Sequence, residues 1–379
     1  LLQYVTDTQK TALPHITSIG VQLRDEALIM DGPTRRNLEL EESLSGHDQH
    51  TLAGVMDRCS TAMGSRLLRR WIQRPLRDQA TLRGRYQAIE ALLAGRHGDA
   101  LQDQLAGIGD VERILARVAL RSARPRDLRG LCEALGRLPD LRRLLATIDS
   151  PLLAELAEQV GEHREQFRLL DKAIVESPPM LIRDGGVIAP GYDDELDDLR
   201  GIAENADQFL VDLETRERER LGASTLKLGY NRVHGYYIEI SKAQADKAPP
   251  EYVRRQTLKG ADRYITPELK EFEDKVLGAR ERALSREKHL YEGLLDRLHD
   301  VLGALQLCAS GLAALDVLAC LAERAASLGL SKPELCESPC IEIDGGRHIV
   351  VEQVIDTPFI ANDLALGDDR RLLVITGPN

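Results

Sequence analysis

The sequence predicts a mainly α-helical protein: a multi-helix bundle with two long antiparallel helices, a small antiparallel β module inserted at their tip, and the first strands of an α/β domain. Apolar residues recur at three- and four-residue steps over most of the chain, which is the period of a helix. Two such stretches are much longer than an average helix, and the segment between them alternates with period two. Aromatic residues make up only 4% of the chain, which disfavours β-sandwiches and barrels.

The bundle is predicted from about residue 34 to residue 176. Leu128, Leu131, Leu135 and Leu138 illustrate its helical spacing, and prolines separate its helices. These prolines are Pro75, Pro125, Pro139 and Pro151. A turn is predicted next, at Gly185-Gly186.

The two long helices follow the bundle. The first is predicted from about Asp193 to Leu221 and is closed by Gly222, and the second opens at Thr266-Pro267 with a hydroxyl N-cap and a proline at the first position. The apolar stripe of the second continues to about Leu315. At 1.5 Å per residue the helices would be about 45 and 75 Å long. Helices of that length need partners, so an antiparallel pair is predicted.

The segment between the long helices is predicted to form antiparallel strands. Leu226, Leu228 and Tyr230 alternate with polar residues, as do Tyr236, Ile238 and Ile240, and residues 229–235 supply a turn. Five of the nine tyrosines lie here and are predicted to form the core of the module rather than a base-stacking platform.

A change of pattern near residue 331 predicts the start of an α/β domain. Short apolar strands are expected at 341–343, 349–354 and 372–375, and the last runs into Gly377-Pro378-Asn379. A phosphate-binding P-loop begins in this way, but an ordinary turn has the same appearance. The lysine and the Ser/Thr of a P-loop are missing, so no ATP hydrolysis is expected.

Composition and charge limit the possible functions. The 379 residues are 43% hydrophobic and 29% charged, as in an ordinary globular protein rather than a disordered or membrane protein. A net charge of −11 would repel nucleic acid if it were evenly spread. However, residues 58–150 carry 18 basic and 10 acidic side chains, residues 224–263 carry 8 and 4, and the remainder sums to −23. The excess of basic residues in 58–150 is most simply explained by solvated helix surfaces. The β module at 224–263 is therefore the candidate for nucleic-acid binding.

The basic β module has two interpretations on its pattern alone. Its lysines and arginines could neutralise phosphates along a nucleic-acid backbone, without sequence specificity. It could equally be a protein-binding or merely solvated insertion.

The cysteines indicate reduced thiols, because their spacing has no pairing rhythm. They are Cys59, Cys132, Cys308, Cys320, Cys336 and Cys340. Cys336 and Cys340 with His348 match no standard zinc spacing. No signal peptide is predicted, and the apolar residues 301–322 contain Gln306 and Asp316, which favours a buried bundle helix over a membrane span. The absent initiator Met and the end at Asn379 predict a fragment.

Several strings resemble, in order and spacing, those of the bacterial MutS DNA mismatch-repair family. They are LQY at 2–4, TQ at 8–9, RRNLEL at 35–40, GSR at 64–66, RDGGVI at 183–188, VHGYYI at 233–238 and RRQTLK at 254–259. The resemblance extends over essentially the whole chain.

The resemblance implies five segments. They are a connector end or linker at 1–30, core and lever helices at 31–206, a β clamp at 207–266 with strands at about 225–264, further lever helices at 267–330, and a truncated P-loop ATPase start at 331–379. In that family the clamp holds the DNA backbone non-specifically and the lever couples DNA engagement to the ATPase. DNA mismatch repair is therefore the expected function. The alternative is a helical scaffold whose β tip binds a protein partner.

Site residues are predicted by position. The predicted DNA contacts are Lys227, Asn231, Arg232, Arg254, Arg255, Lys259 and Arg263. The predicted nucleotide contacts are Phe359, Ile360, Gly377, Pro378 and Asn379. Phe359 matches the family's adenine-stacking aromatic residue. No catalytic or metal-binding residue is predicted.

The resemblance also implies partners and cofactors. ATP and Mg²⁺ belong to the intact family protein, and neither is expected for this chain. Double-stranded DNA and downstream mismatch-repair proteins are the implied partners. A homodimer is implied for the intact protein and a monomer is compatible with the fragment. A cytoplasmic, nucleoid-associated location without a membrane is expected. The family's N-terminal mismatch-recognition domain is missing, so the fragment alone is expected not to find a mismatch.

Overall fold

A computed structural model describes residues 2–9, 26–231 and 235–374 of the protein. The helices are α1 (Leu2–Gln9), α2 (Gly32–Asn37), α3 (Leu52–Met56), α4 (Ala62–Gln73), α5 (Gln79–Ala94), α6 (His97–Ala106), α7 (Val111–Ala119), α8 (Pro125–Leu145), α9 (Pro151–Val160), α10 (Arg164–Ala173), α11 (Asp194–Leu221), α12 (Pro267–Asp300) and α13 (Leu302–Ser327). The strands are β1 (Lys227–Asn231), β2 (Gly235–Ser241), β3 (Val253–Thr257), β4 (Ala261–Ile265), β5 (Ile341–Gly346) and β6 (Asn362–Leu366). The predicted fold class, mainly α with a small antiparallel sheet, is confirmed.

The described residues fall into two compact units. The first, called the helical unit, comprises those before residue 124, residues 130–169 and those from 298 onward; the second, called the long-helix unit, comprises 124–129 and 170–297. The five-segment division inferred from the sequence stays a prediction.

Helix α13 forms the centre of the helical unit. It packs against α3, α4, α5, α6, α7 and α9. By length and composition alone it could cross a membrane, but 67% of its most apolar window is buried within the protein. The predicted buried bundle helix is therefore confirmed.

A buried carboxylate on α13 explains the string GSR at 64–66. Asp316 accepts hydrogen bonds from the Ser60 amide at 2.8 Å, the Thr61 amide at 2.8 Å and the Thr61 hydroxyl at 2.6 Å. A Cβ on Gly64 would lie 2.2 Å from Asp316 Oδ2, so the position requires glycine. Arg66 binds Asp110 and Glu112, each at 2.7 Å, which fixes the start of α7.

The proline prediction needs one correction. Pro125 and Pro151 begin helices, as expected of a residue whose missing N–H is not needed there. Pro139, in contrast, lies inside α8. The leucines on either side of it, Leu138 and Leu141, are fully buried, and this packing offsets the lost hydrogen bond.

The pair α11 and α12 in the long-helix unit is antiparallel, as predicted. Phe209 stacks on Phe272 at 4.1 Å between ring centroids, and near the start of α11 Asp193 bonds Arg286 at 2.7 Å. Asp193 caps α11 by accepting from the Leu196 amide, and Gly222 ends it in the left-handed conformation with φ 55°.

The second predicted helix is too long. Val301 leaves the helical conformation with φ −111° and ψ 12°, so α12 ends at Asp300 and α13 begins at Leu302. Leu298, Leu302 and Leu305 are all buried and keep the three- to four-residue spacing across the break. The apolar pattern therefore could not reveal it.

The string RDGGVI surrounds a second buried carboxylate, in the long-helix unit. Glu287 is 2% exposed and accepts from the amides of Gly186 at 2.9 Å, Val187 at 2.6 Å and Ile188 at 2.8 Å. Arg200 balances its charge at 2.7 Å. Gly185 and Gly186 have φ 72° and 77°, which is the turn conformation expected of them.

The C-terminal strands are only partly as predicted. The expected strand at 341–343 is confirmed within β5, which pairs with β6, a strand that was not predicted. The expected strand at 349–354 is wrong: Val351–Gln353 form a short 3-10 turn, whose first amide donates to His348 Nδ1 at 3.2 Å. The strand at 372–375 is also wrong for its described residues, 372–374, because no strand pairs with them in the described part and Leu372 and Val374 are exposed.

Candidate nucleic-acid interface

The basic segment forms a four-stranded antiparallel sheet in the order β1-β2-β4-β3. Tyr230 pairs with Tyr236, Ile238 with Tyr264, and a bulge at Arg255 interrupts the pairing of β3 with β4. The predicted contact Arg232, which follows β1 in the sequence, lies outside the described residues.

One face of the sheet forms a core with the long helices. Ile238 and Ile240 are fully buried and pack in one cluster with Leu213 of α11 and Leu269 of α12. Tyr236, Tyr252 and Tyr264 belong to the same cluster. Three of the five tyrosines therefore form core, as predicted. Tyr230 is exposed on β1, and Tyr237 is half-buried on the opposite face.

Three glutamates attach the sheet to the long helices. Glu214 accepts from the Leu228 amide at 2.7 Å, Glu217 from the Tyr252 hydroxyl at 2.9 Å, and Glu273 from the Tyr236 amide at 2.6 Å. Burial, together with the bond to Glu217, raises the pKa of the Tyr252 phenol, so this group stays a protonated donor.

Sequence reasoning missed these glutamates because acidic residues on a helix usually mark its solvated side. A signal was nevertheless present. Each glutamate lies four residues after an apolar stripe residue: Leu210, Leu213 or Leu269. Residues four apart share a helix face, so the three carboxylates point where the stripe points. Glu273 also explains why residue 235 is a glycine, since a Cβ on Gly235 would lie 1.9 Å from Glu273 Oε2.

The predicted contact Arg263 is bonded within the sheet. Its Nε donates to Glu239 at 2.8 Å and its Nη1 to Gln256 at 3.1 Å. Its guanidinium lies 4.1 Å from the centre of the Tyr237 ring, which crosses Gly229 of the neighbouring strand. With 18% of its side chain exposed, Arg263 stabilises the sheet more than it offers charge to solvent.

The remaining predicted contacts lie at the rim of the sheet. Lys227 at the start of β1 and Lys259 in the β3–β4 turn are exposed, and no carboxylate of the described residues lies within 4.0 Å of either ammonium group. Arg254 is 57% exposed and lies 3.6 Å from Asp262. Arg255 is exposed at the bulge, and Asn231 is half-buried at the end of β1.

The acids of the module are mostly neutralised internally. Glu239 is bonded to Arg263, Glu251 binds Arg220 of α11 at 2.5 Å, and Asp262 is buried beside Arg254. The fourth acidic residue of the module, Asp246, is exposed and has no bonded cation in the described part of the chain. The rim therefore presents positive charge to solvent.

Of the predicted nucleotide contacts, the structure describes Phe359 and Ile360. Phe359 is half-buried and Ile360 is 81% exposed, both in an irregular segment before β6. Gly377, Pro378 and Asn379 lie outside the described residues. Phe359 and Ile360 have side chains suited to an adenine ring, and neither side chain carries a donor for phosphate oxygens. In the described residues no three His, Cys, Asp or Glu side chains cluster as metal ligands.

Residues 33–322 match the family model described as MutS domain III. The matched range starts just before RRNLEL and ends within α13, so it includes the bundle, both long helices and the four-stranded sheet.

Proposed function

The chain belongs to the MutS family of DNA mismatch-repair proteins, and we propose that its four-stranded sheet, here called the clamp (β1–β4), binds the backbone of duplex DNA without reading sequence. A role in DNA mismatch repair follows from the family.

One observation carries the proposal: the ammonium groups of Lys227 and Lys259 are exposed and have no carboxylate within ion-pair distance among the described residues. A cation already paired inside the protein gains little from a phosphate, because it must first give up its partner. An unpaired one releases a counterion from DNA at little cost. Lysine is a compact point charge, which suits phosphate contact rather than the bidentate reading of a base.

The long helices supply the second part of the proposal. The clamp is bonded to α11 and α12 through the carboxylates of Glu214, Glu217 and Glu273, in addition to its shared apolar core. A displacement of the clamp would therefore move these helix ends with it. We assign α11 and α12 the role of a lever that couples DNA engagement to the ATPase domain of the intact family protein.

The same proposal extends to cofactors and partners. ATP and Mg²⁺ would bind the ATPase domain of the intact protein, with Phe359 and Ile360 contributing to the adenine site. Duplex DNA is the partner of the clamp, the intact protein acts as a homodimer with downstream repair proteins, and it works in the cytoplasm at the nucleoid.

The alternative function is protein binding at the clamp. Val253 is 60% exposed and Tyr230 is 49% exposed, and both lie on edge strands, where a partner strand or apolar surface could add. Such a complex would depend little on salt.

The salt dependence of duplex binding separates the two functions. Affinity of the protein for a random-sequence duplex is measured at several salt concentrations for the wild type and for Lys227→Ala/Lys259→Ala. Each phosphate contact contributes about −0.9 to the slope of log K against log salt, so the double variant should have a slope less negative by about 1.8.

The control is Arg168→Ala/Lys172→Ala, which removes two exposed cations from α10. It should leave the slope unchanged. Equal slopes for the wild type and Lys227→Ala/Lys259→Ala would refute the backbone contact. Binding of a protein partner that does not vary with salt concentration and is lost in Val253→Ser would support the alternative function.

A further inference from the structure

Two thiols lie beside each other on the surface of the helical unit. Cys336 and Cys340 are both exposed, and their Sγ atoms are 3.0 Å apart. A disulfide has a sulfur separation of about 2.05 Å, so closing the bond requires a movement of roughly 1 Å. Both side chains are exposed, so the movement displaces no buried neighbour.

The backbone that carries Cys336 is held in place by α5. Gln79 Nε2 donates to the Cys336 carbonyl at 2.9 Å, Arg83 donates to the Leu335 carbonyl at 3.2 Å, and Lys332 binds Glu90 at 2.8 Å. Cys340 directly precedes β5, which is paired with β6. Both ends of the five-residue segment are thus fixed, and the sulfurs meet without ordering a flexible loop.

The neighbouring thiol also activates Cys336. A hydrogen bond with Cys340 lowers the pKa of Cys336 and raises that of Cys340, so Cys336 is the first of the two to become a thiolate. The thiolate is the attacking form in thiol–disulfide exchange.

A metal is a poorer occupant of this pair. A structural zinc site needs four ligands, and within the described residues no three His, Cys, Asp or Glu side chains lie together in an arrangement that could hold a metal ion. Two thiols alone suit a two-electron oxidation.

We propose that Cys336 and Cys340 form a reversible dithiol–disulfide pair that exchanges with low-molecular-weight disulfides. The Cys336 thiolate attacks one sulfur of the external disulfide, forming a mixed disulfide and releasing one thiolate. The Cys340 thiolate then attacks Cys336 Sγ, forming the internal bond and releasing the second thiolate. The protein loses two electrons and two protons, and the external disulfide is reduced to two thiols.

The product would tie the start of β5 to the segment held by α5. It closes a loop of five residues, from Cys336 to Cys340. Excess low-molecular-weight thiol reverses both steps, so the pair would report the thiol–disulfide balance of its surroundings.

The test uses the whole chain, reduced and then equilibrated with glutathione disulfide. The remaining thiols are alkylated, counted in denaturant and located by peptide mass. The count should fall from six to four, and the peptide containing Cys336 and Cys340 should lose the mass of two hydrogens and carry no alkyl group. Reductant should restore six thiols.

Single variants test the order of events. Cys340→Ser should stop at a stable glutathione adduct on Cys336, because no resolving thiol is present. The matched control Cys132→Ser removes a buried cysteine and should form the internal bond like the wild type. Retention of both alkyl labels in the wild type would overturn the proposal, as would adducts on both cysteines or a bond between two chains.

Discussion

The bond between Glu273 and the clamp gives a quantitative test of the attachment. Glu273 is 4% exposed, and its carboxylate accepts from the Tyr236 amide at 2.6 Å and from Lys270 at 2.8 Å. Glu273→Gln keeps the shape of the side chain and removes its charge. The perturbation is thus confined to the hydrogen bond and the ion pair.

The expected cost follows from these two contacts. A hydrogen bond to a charged group stabilises by about 1.5–3 kcal/mol and a neutral one by about 0.5–1.5 kcal/mol, so the amide bond loses about 1 kcal/mol. The Lys270 side chain is 45% exposed, and its ion pair contributes about 0–1 kcal/mol. The sum is about 1–2 kcal/mol, which corresponds to a factor of roughly 5–30 in an opening equilibrium.

Hydrogen exchange at the Tyr236 amide measures this opening directly. Protection there should fall by about 5- to 30-fold in Glu273→Gln. The control is Glu271→Gln, an exposed glutamate two residues earlier on α12, which should leave the protection unchanged. Because Lys227 and Lys259 are untouched, the salt slope of DNA binding should also stay the same. Equal protection in the two variants would refute the attachment described for Glu273.

The other predictions concern the two buried carboxylates that explain sequence strings. Glu287→Gln should lower the free energy of unfolding of the long-helix unit by about 3 kcal/mol, because Arg200 loses its counter-charge and one backbone amide then faces an NH₂ donor. Urea unfolding followed by circular dichroism checks this, with exposed Glu281→Gln as the control. Asp316→Asn should destabilise by about 1–3 kcal/mol at neutral pH, because an NH₂ group then meets the Thr61 donors. Burial raises the pKa of Asp316 above its ordinary 3.8, so the native state binds this proton more tightly than the unfolded chain does. Stability of the wild type relative to Asp316→Asn should therefore increase as pH falls from neutral through the raised pKa; an increase with rising pH would contradict the assignment.

Residues whose role is local could be predicted from the sequence. Asp193 and Gly222 bound α11 where expected, and Thr266 with Pro267 opens α12. A cap or a left-handed glycine acts within a few residues of itself, so the chemistry that selects it is visible in the sequence.

The misplaced elements depend on residues far away in the chain. The apolar residues at 349–354 read as a strand, but strands exist only where another strand pairs with them, and β5 pairs with β6 instead. Similarly, Glu287 lies about a hundred residues from the amides that it binds. A helical period predicts which face of a helix is buried. It does not predict that a distant segment supplies hydrogen-bond donors to a carboxylate on that face.

The position of the basic sheet could be predicted from the sequence, but the pairing of its charged residues could not. Charge counting located the basic module, and period two located its strands. However, the sequence predicts Arg263 and Lys259 as DNA contacts on the same grounds. In the sheet Arg263 is bonded to Glu239, whereas Lys259 has no carboxylate partner among the described residues. Cross-strand neighbours decide this difference, and they are set by register.

The acidity of the chain and the basicity of the clamp are physically connected. Residues 151–223 carry 18 acidic and 8 basic groups, which suggests a helix surface that repels DNA. Two of these acids, Glu214 and Glu217, are used to hold the clamp, by accepting from the Leu228 amide and the Tyr252 hydroxyl. Glu217 is buried, and a buried carboxylate costs several kcal/mol unless donors satisfy it, so this acid favours the position of the sheet that supplies the Tyr252 hydroxyl. Exposed acids on α11 such as Asp212 and Glu219 would repel a duplex that approached the helix side. Under the proposed function, the same charge that makes the chain acidic as a whole would direct the duplex toward the lysine-bearing rim.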